Sequence, residues 1–79
     1  MESVVQVNAR DDFHLVLTFN TGKTGVFDAQ PYLEKGVFQR LKDLNEFKRA
    51  YVAYDTMCWP GGLDIAPETL YDRSEKIKG

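Results

Sequence analysis

The sequence reads Trp59-Pro60-Gly61-Gly62-Leu63-Asp64-Ile65-Ala66-Pro67 at the stretch that decides the fold. Gly61 and Gly62 can adopt the positive φ angles of a sharp turn, and Pro60 and Pro67 fix φ and remove two backbone donors. The stretch holds the only tryptophan of the chain. It contains no nucleophile with a base, no cluster of metal ligands and no phosphate-binding glycine loop. We therefore predict a structural turn and not a reaction centre.

The residues on either side of this turn predict a second hairpin and a final helix. Tyr51-Val52-Ala53-Tyr54 has the composition of a strand, Asp55-Thr56 suits a turn, and Met57-Cys58-Trp59 can return as the partner strand. Pro67 is typical of a first helical position, and Asp64 is close enough to cap this helix.

Alternating apolar residues predict a three-stranded meander in the first third of the chain. Asn20-Thr21-Gly22-Lys23 supplies the second turn, and Thr24-Gly25-Val26-Phe27 resumes an extended pattern. The apolar positions of the first two strands are Val5, Val7 and Ala9, followed by Phe13, Leu15, Leu17 and Phe19.

Helical signals fill the middle of the chain. Asp28 and Pro31 predict a short helical turn that ends at Gly36. Apolar residues then recur near the helical period, which predicts one broken helix or two short ones. These residues are Val37, Phe38, Leu41, Leu44 and Phe47. The predicted fold class is α+β, with a small antiparallel sheet (the three-stranded meander plus a second hairpin) packed against short helices. We expect a single domain over residues 1–73 and a frayed, charged tail over residues 74–79.

Composition narrows the class of protein. Seventy-nine residues suffice for one small core. Ten basic and twelve acidic residues leave a net charge of -2, which disfavours a general nucleic-acid binder. The lone cysteine, Cys58, cannot form an intramolecular disulfide and fits a reducing compartment. Because neither a secretory signal nor a long apolar stretch is present, we expect a cytoplasmic protein without a membrane partner.

Several of these segments together match a known pattern. They are Leu15-Val16-Leu17-Thr18-Phe19, Phe27-Asp28, Pro31-Tyr32-Leu33, Phe38, Leu41, Phe47 and the stretch from Trp59 to Tyr71. In this order they resemble the small bacterial family catalogued as domain of unknown function 2442. The resemblance implies a compact α+β domain whose function is not established. Similar domains are joined to a helix-turn-helix DNA-binding domain or encoded beside a small toxin, which implies an antitoxin or adaptor role. Because this chain ends soon after Tyr71, we expect no DNA-binding domain in it.

The candidate interaction or ligand corner consists of Trp59, Asp64, Tyr71 and Tyr54. Core packing is the usual role of aromatic residues in so small a protein, whereas a partly exposed aromatic shelf would anchor a protein interface. His14, the only histidine, is predicted to face solvent from the polar side of its strand, and Cys58 is predicted to act as a small buried hydrophobe. We therefore predict no catalytic site, no metal site and no cofactor.

The leading functional hypothesis is a non-enzymatic protein-interaction module. Its finer form is an antitoxin-like protein whose partner is a small toxin encoded nearby. A sheet edge or the aromatic corner would supply the contact surface, and an open edge would also permit a homo-oligomer. One alternative is a small-molecule or anion-sensing module that uses Trp59, Asp64 and Tyr54. Another is weak RNA contact through a basic helical face formed by Lys35, Arg40, Lys42, Lys48 and Arg49. An enzyme is the least favoured class.

Overall fold

A computed structural model describes residues 2–77. These residues form two antiparallel sheets with short helices between them, which confirms the predicted α+β class. The first sheet has the strand order β1-β2-β3-β7 and the second has the order β4-β5-β6. The strands of the first sheet are β1 (Val4–Ala9), β2 (His14–Phe19), β3 (Thr24–Asp28) and β7 (Glu75–Ile77). Those of the second are β4 (Tyr51–Ala53), β5 (Thr56–Trp59) and β6 (Leu63–Ile65).

The predicted meander corresponds to β1, β2 and β3. Leu15, Leu17 and Phe19 of β2 are fully buried, as their alternation predicted. In β1 the register shifts between Val4 and Gln6, so Val4 is buried and Val5 is 54% exposed. The prediction that Val5 lies on the covered face is wrong, because a bulge places one extra residue in the strand and reverses the alternation before it.

The tail differs from its prediction. Residues 75–77 pair with β3 as an added strand, where a frayed end was predicted; residues 78 and 79 lie outside the described residues. A glycine makes this pairing possible, because a Cβ on Gly25 would lie 2.6 Å from Ser74 Oγ and 2.9 Å from Ser74 Cβ. The chain can approach β3 closely only where a side chain is missing.

The middle of the chain is helical but mostly not α-helical. It contains two 3₁₀ helices, Gln30–Glu34 and Gly36–Lys42, and one α-helix, α1 (Leu44–Phe47). The break that the sequence predicted lies at Asp43, whose side chain accepts a hydrogen bond from the Asn45 N–H at 3.0 Å. Asp28 lies one residue before Ala29, the N-cap of the first 3₁₀ helix, and its side chain accepts a hydrogen bond from the Gln30 N–H at 2.9 Å.

The predicted apolar stripe of this region is partly wrong. Leu41 and Phe47 are buried, whereas Val37 is 69% exposed. The period of a 3₁₀ helix is about three residues, so Phe38 and Leu41 share the side that packs on the core, whereas Val37, one residue before Phe38, points away from it.

The second sheet contains the predicted hairpin and one strand that the sequence did not predict. The turn between β4 and β5 consists of Tyr54 and Asp55, one residue earlier than predicted. The residues after the glycine turn form β6 and not a helix entry. The last helix, α2 (Pro67–Arg73), begins at Pro67 as predicted. Its N-cap is Ala66 and has no side-chain hydrogen bond, so the prediction that Asp64 caps this helix is wrong.

Both sheets and the helices contribute to one buried cluster. Trp59 lies within it, with ring centroids 5.8 Å from Phe47 and 6.3 Å from Phe38. The indole Nε1–H donates to the Phe47 carbonyl oxygen at 2.9 Å, so the one polar group of this side chain is satisfied. The largest fully buried side chains are Trp59, Phe19, Phe27, Phe47, Leu15, Leu17, Leu41, Met57 and Leu70.

Candidate functional site

The structure does not bring the four residues of the predicted aromatic corner together. Trp59 is 1% exposed in the core, and Tyr54 is 91% exposed at the tip of the hairpin. Tyr71 packs edge-on against Phe19, with ring centroids 5.0 Å apart. Asp64 pairs with Cys58, the neighbour of Trp59 along β5, so it lies on the opposite face of the sheet from the indole. Proximity in the sequence suggested that these residues form one corner, but the unpredicted strand β6 places Asp64 on the other face of the sheet from Trp59.

Three residues of the predicted structural turn form a chain reversal, and the fourth, Pro67, lies outside it at the start of α2. Pro60, Gly61 and Gly62 connect β5 to β6, and the two glycines have φ angles of +94° and +86°. The guanidinium of Arg40 lies over the turn, where a Cβ on Gly61 would come within 2.5 Å of Nη1. The turn reverses the chain and lets Trp59 enter the core.

The turn at the other end of β5, which joins it to β4, has different properties. Tyr54 and Asp55 both lie in the left-handed region, with φ angles of +54° and +64°. Two-residue hairpin turns of this kind favour Asn, Asp and Gly; a tyrosine there costs about 1–2 kcal/mol, and an aspartate costs less. The Asp55 carbonyl accepts a hydrogen bond from the Val4 N–H at 3.0 Å, which fixes the tip of the hairpin beside β1.

Exposed apolar side chains surround this turn. Tyr51 and Val52 on β4 are exposed, as is Val5 next to the bulge of β1. Successive strand residues face opposite sides of a sheet, so Tyr51 and Val52 are exposed on different faces of β4. We call the four exposed side chains around this turn, Val5, Tyr51, Val52 and Tyr54, the hairpin surface. Sequence analysis named Tyr54 but missed Val5 and did not place Tyr51 and Val52 on an edge strand. The bulge and the strand order, which expose these three residues, leave little signal in a single sequence.

A second surface lies at one end of the four-stranded sheet, around His14. The imidazole Nδ1 is 3.3 Å from Asp12 Oδ1, and Nε2 is 3.7 Å from Asp28 Oδ1. Arg10 forms an ion pair with Asp12 at 2.9 Å, and the Gln30 side chain donates to the Asp12 carbonyl at 3.0 Å. His14 lies on the polar side of its strand, where a solvent-facing residue was predicted, and its side chain is half-buried within this network. It borders an open cleft of about 550 Å³.

Cys58 is buried in the second sheet, in keeping with its predicted role as a small hydrophobe. Burial raises the pKa of the Cys58 thiol, and the nearby Asp64 carboxylate raises that pKa further. A raised pKa disfavours the thiolate, which is the nucleophilic form. The Cys58 thiol lies 3.9 Å from the Ala53 carbonyl oxygen, whereas the His14 imidazole contacts Asp12 and Asp28, so the described contacts do not join these two side chains. Among residues 2–77, no three His, Cys, Asp or Glu side chains are arranged to hold a metal ion.

Intramolecular contacts occupy most cations of the predicted basic face. Three ion pairs join it to carboxylates, and the Lys35 ammonium lies 5.0 Å from the Tyr32 ring centroid. The pairs are Lys42–Glu34, Lys48–Asp11 and Arg49–Glu46, at 2.8, 2.7 and 3.2 Å. The Lys48 ammonium also lowers the pKa of the Asp11 carboxyl, through a hydrogen bond and its charge. These contacts weaken the case for RNA contact, because a phosphate backbone would have to compete with them.

Comparison with known proteins assigns the chain to a family but does not identify an individual relative. The family model described as "Protein of unknown function (DUF2442)" matches residues 4–76, nearly the whole chain. Neither a curated protein nor a solved structure matches the chain. None of the helices formed by residues 2–77 has both the length and the hydropathy needed to cross a bilayer.

Proposed function

We propose that this chain, which belongs to the DUF2442 family of proteins of unknown function, is a non-enzymatic protein-interaction module that binds through the hairpin surface. One observation carries the proposal: Tyr54 is 91% exposed on a turn whose two residues both have left-handed backbones. Neither property helps the isolated domain fold.

The energetic argument has two parts. A left-handed tyrosine in the turn costs folding energy that glycine or asparagine would avoid. An exposed aromatic ring gains little from burial in the free protein, whereas Tyr is enriched among the residues that dominate binding energy at interfaces. A cost in folding without a return in packing is consistent with a residue retained for contact with another molecule.

The surroundings of the hairpin indicate the chemistry of the partner. Residues 50–67 include two carboxylates, Asp55 and Asp64, and no Lys, Arg or His. Tyr51, Cys58 and Asp64 lie in one row across the second sheet, so the Asp64 carboxylate is on the same face as the exposed Tyr51 ring, two strands away. We infer a partner protein with an apolar pocket for Tyr54 and a basic rim that faces these carboxylates.

An antitoxin-like role is the finer form of this proposal. A small toxin encoded beside this chain would be the partner, and the hairpin surface would cover part of it. The support is the family resemblance together with the acidic, apolar hairpin, which suits a basic protein.

Co-purification tests the proposal. The untagged chain is co-expressed with the tagged protein encoded by the neighbouring gene, as wild type, as Tyr54→Ser and as Val37→Ser. Val37 is the matched control, because it is also exposed and apolar but belongs to the second 3₁₀ helix. We expect wild type and Val37→Ser to be retained and Tyr54→Ser to lose about 2 kcal/mol of binding free energy, a typical hot-spot effect.

The opposite results would contradict the proposal. They are the absence of a complex at micromolar concentration, or retention of Tyr54→Ser as strong as that of wild type. A second copy of the chain is the competing occupant of the surface. Light scattering of the isolated protein would reveal it as a dimer that Tyr54→Ser converts to a monomer.

A further inference from the structure

The charged cleft beside His14 contains groups that the fold does not use. Among residues 2–77, neither Arg73 nor Glu75 takes part in an ion pair, although both line the cleft. Other charges there are already engaged: Arg10 pairs with Asp12, and the Lys76 ammonium donates to the carbonyl oxygens of Tyr71 and Ser74. One guanidinium and one carboxylate therefore remain available to a ligand.

Two further groups in the cleft have spare capacity. Asp28 uses Oδ1 to accept the Gln30 N–H, and no hydrogen bond to Oδ2 is present among residues 2–77. The His14 Nε2 atom is 3.7 Å from Asp28, too far for a direct hydrogen bond. Val26 and Ile77 add apolar surface to the lining. The cleft thus offers groups of both charge signs beside a small apolar area.

This mixture of charges selects the class of ligand. A simple anion would meet the Arg73 guanidinium but also the carboxylates of Glu75 and Asp28. A simple cation would meet those carboxylates but also Arg73. A molecule that carries both charges can satisfy both sets, since guanidinium binds a carboxylate through two parallel hydrogen bonds and a carboxylate binds ammonium.

We propose that this cleft binds a small zwitterion of the amino-acid class. The ligand carboxylate lies on the Arg73 guanidinium, and its ammonium group lies between Glu75 and Asp28. A volume of about 550 Å³ is within the range of small-molecule sites and accommodates a ligand of this size. This proposal goes beyond the protein-interaction function and does not depend on it, because no residue of the hairpin surface lines the cleft.

Three matched probes test the requirement for both charges. The full chain, labelled with ¹⁵N, is titrated with L-alanine, with N-acetyl-L-alanine, which keeps only the carboxylate, and with L-alaninamide, which keeps only the ammonium. The readouts are amide chemical shifts and the imidazole signal of His14, which is unambiguous because the chain has one histidine. We expect saturable shifts around the cleft with L-alanine, at about millimolar affinity, and at least tenfold weaker binding of both analogues.

Single substitutions identify the residues responsible. Arg73→Gln and Glu75→Gln should each weaken L-alanine binding about tenfold, the size expected for the loss of one charge-assisted hydrogen bond. Glu68→Gln is the matched control, because Glu68 is exposed on the same helix as Arg73 and does not line the cleft. Well-dispersed spectra show that each variant is folded. The proposal is overturned if L-alanine gives no saturable shifts at about 10 mM, if a singly charged analogue binds equally well, or if Glu68→Gln weakens binding as much as the cleft variants.

Discussion

The two turns at the ends of β5 solve the same geometric problem with different residues. Gly61 and Gly62 reverse the chain after Trp59 with left-handed backbones that glycine adopts freely. Tyr54 and Asp55 reverse it before Thr56 with left-handed backbones, which the Tyr54 side chain resists more strongly than that of Asp55. The aromatic residue beside the first turn is buried, and the aromatic residue in the second is exposed.

This difference separates residues that stabilise the fold from a residue that the fold does not require. Every feature of the glycine turn serves packing: Trp59 enters the core, its N–H is satisfied, and Arg40 covers the turn. The tyrosine turn has a conformational cost and no comparable return in buried surface. The comparison teaches that the most distinctive sequence motif of the chain is structural, and that the better candidate for contact lies at the less distinctive turn.

The largest expected effect is at the glycine turn. Trp59→Ala should lower the free energy of unfolding by about 3–5 kcal/mol, because it leaves a large cavity in a small core. Trp59→Phe should cost about 1–3 kcal/mol, since it keeps an aromatic ring but leaves the Phe47 carbonyl without its donor. Urea denaturation followed by circular dichroism measures both. A loss below about 1 kcal/mol for Trp59→Ala would contradict the comparison, because the residue that the glycine turn directs into the core would then contribute little to stability.

Substitution of a glycine in the same turn measures the cost in free energy of a left-handed backbone at that position. Gly62→Ala should destabilise the protein by about 1 kcal/mol. Steric clash does not contribute, since a Cβ at Gly62 has no neighbour within 4 Å. The urea midpoint measures the change. A neutral Gly62→Ala would mean that a positive φ is inexpensive here, and the argument from strain at the other turn would fail with it.

The reverse change at the tyrosine turn should have the opposite sign. Asp55→Gly should stabilise the protein by about 0.5–1 kcal/mol, because glycine removes the steric cost at a φ of +64° and this gain outweighs its greater unfolded-state entropy. The same denaturation experiment measures it, with Asp55→Ala as the control that removes the carboxylate but keeps the Cβ. If Asp55→Ala stabilises as much as Asp55→Gly, charge and not backbone strain is responsible.

The smallest effect concerns Cys58, on the strand between the two turns. Because burial and Asp64 raise the pKa of its thiol above the ordinary value of 9.0, the folded state favours the protonated form. The contribution of the Cys58 thiol to the free energy of unfolding is therefore present below pH 9 and decreases as the pH rises above that value. We expect slow labelling of native Cys58 by a disulfide reagent at about pH 8, accelerated by urea. Tyr54→Cys in a Cys58→Ala background is the control and should react as a free thiol does; equal rates for the two cysteines would contradict the assigned burial.

The sequence predicted those parts of the fold that depend on local pattern. The buried face of β2 and the start of α2 at Pro67 follow from periodicity and proline, and the apolar spacing indicated a broken helix in the middle of the chain without locating the break at Asp43. Val5 was misplaced, because a bulge depends on pairing with a neighbouring strand. The prediction that Asp64 caps α2 was wrong because β6, at three residues, is too short to show a clear alternation of apolar and polar positions.

The sites were less predictable than the fold. The network around His14 joins Asp12 from one turn to Asp28 from the end of another strand, and only the register of β2 and β3 shows that they meet. Tyr54 was named in the sequence, but its exposure became evident only when the turn was found one residue earlier than predicted.

The most direct test of the account is the affinity of the protein for its genomic neighbour, measured by calorimetry for Tyr54→Gly and Asp55→Gly. Both substitutions place glycine at a left-handed position of the same turn, but only Tyr54→Gly removes the exposed ring. The account predicts binding about thirtyfold weaker for Tyr54→Gly and within about threefold of wild type for Asp55→Gly. Wild-type affinity in Tyr54→Gly would contradict the claim that this tyrosine is retained for a partner.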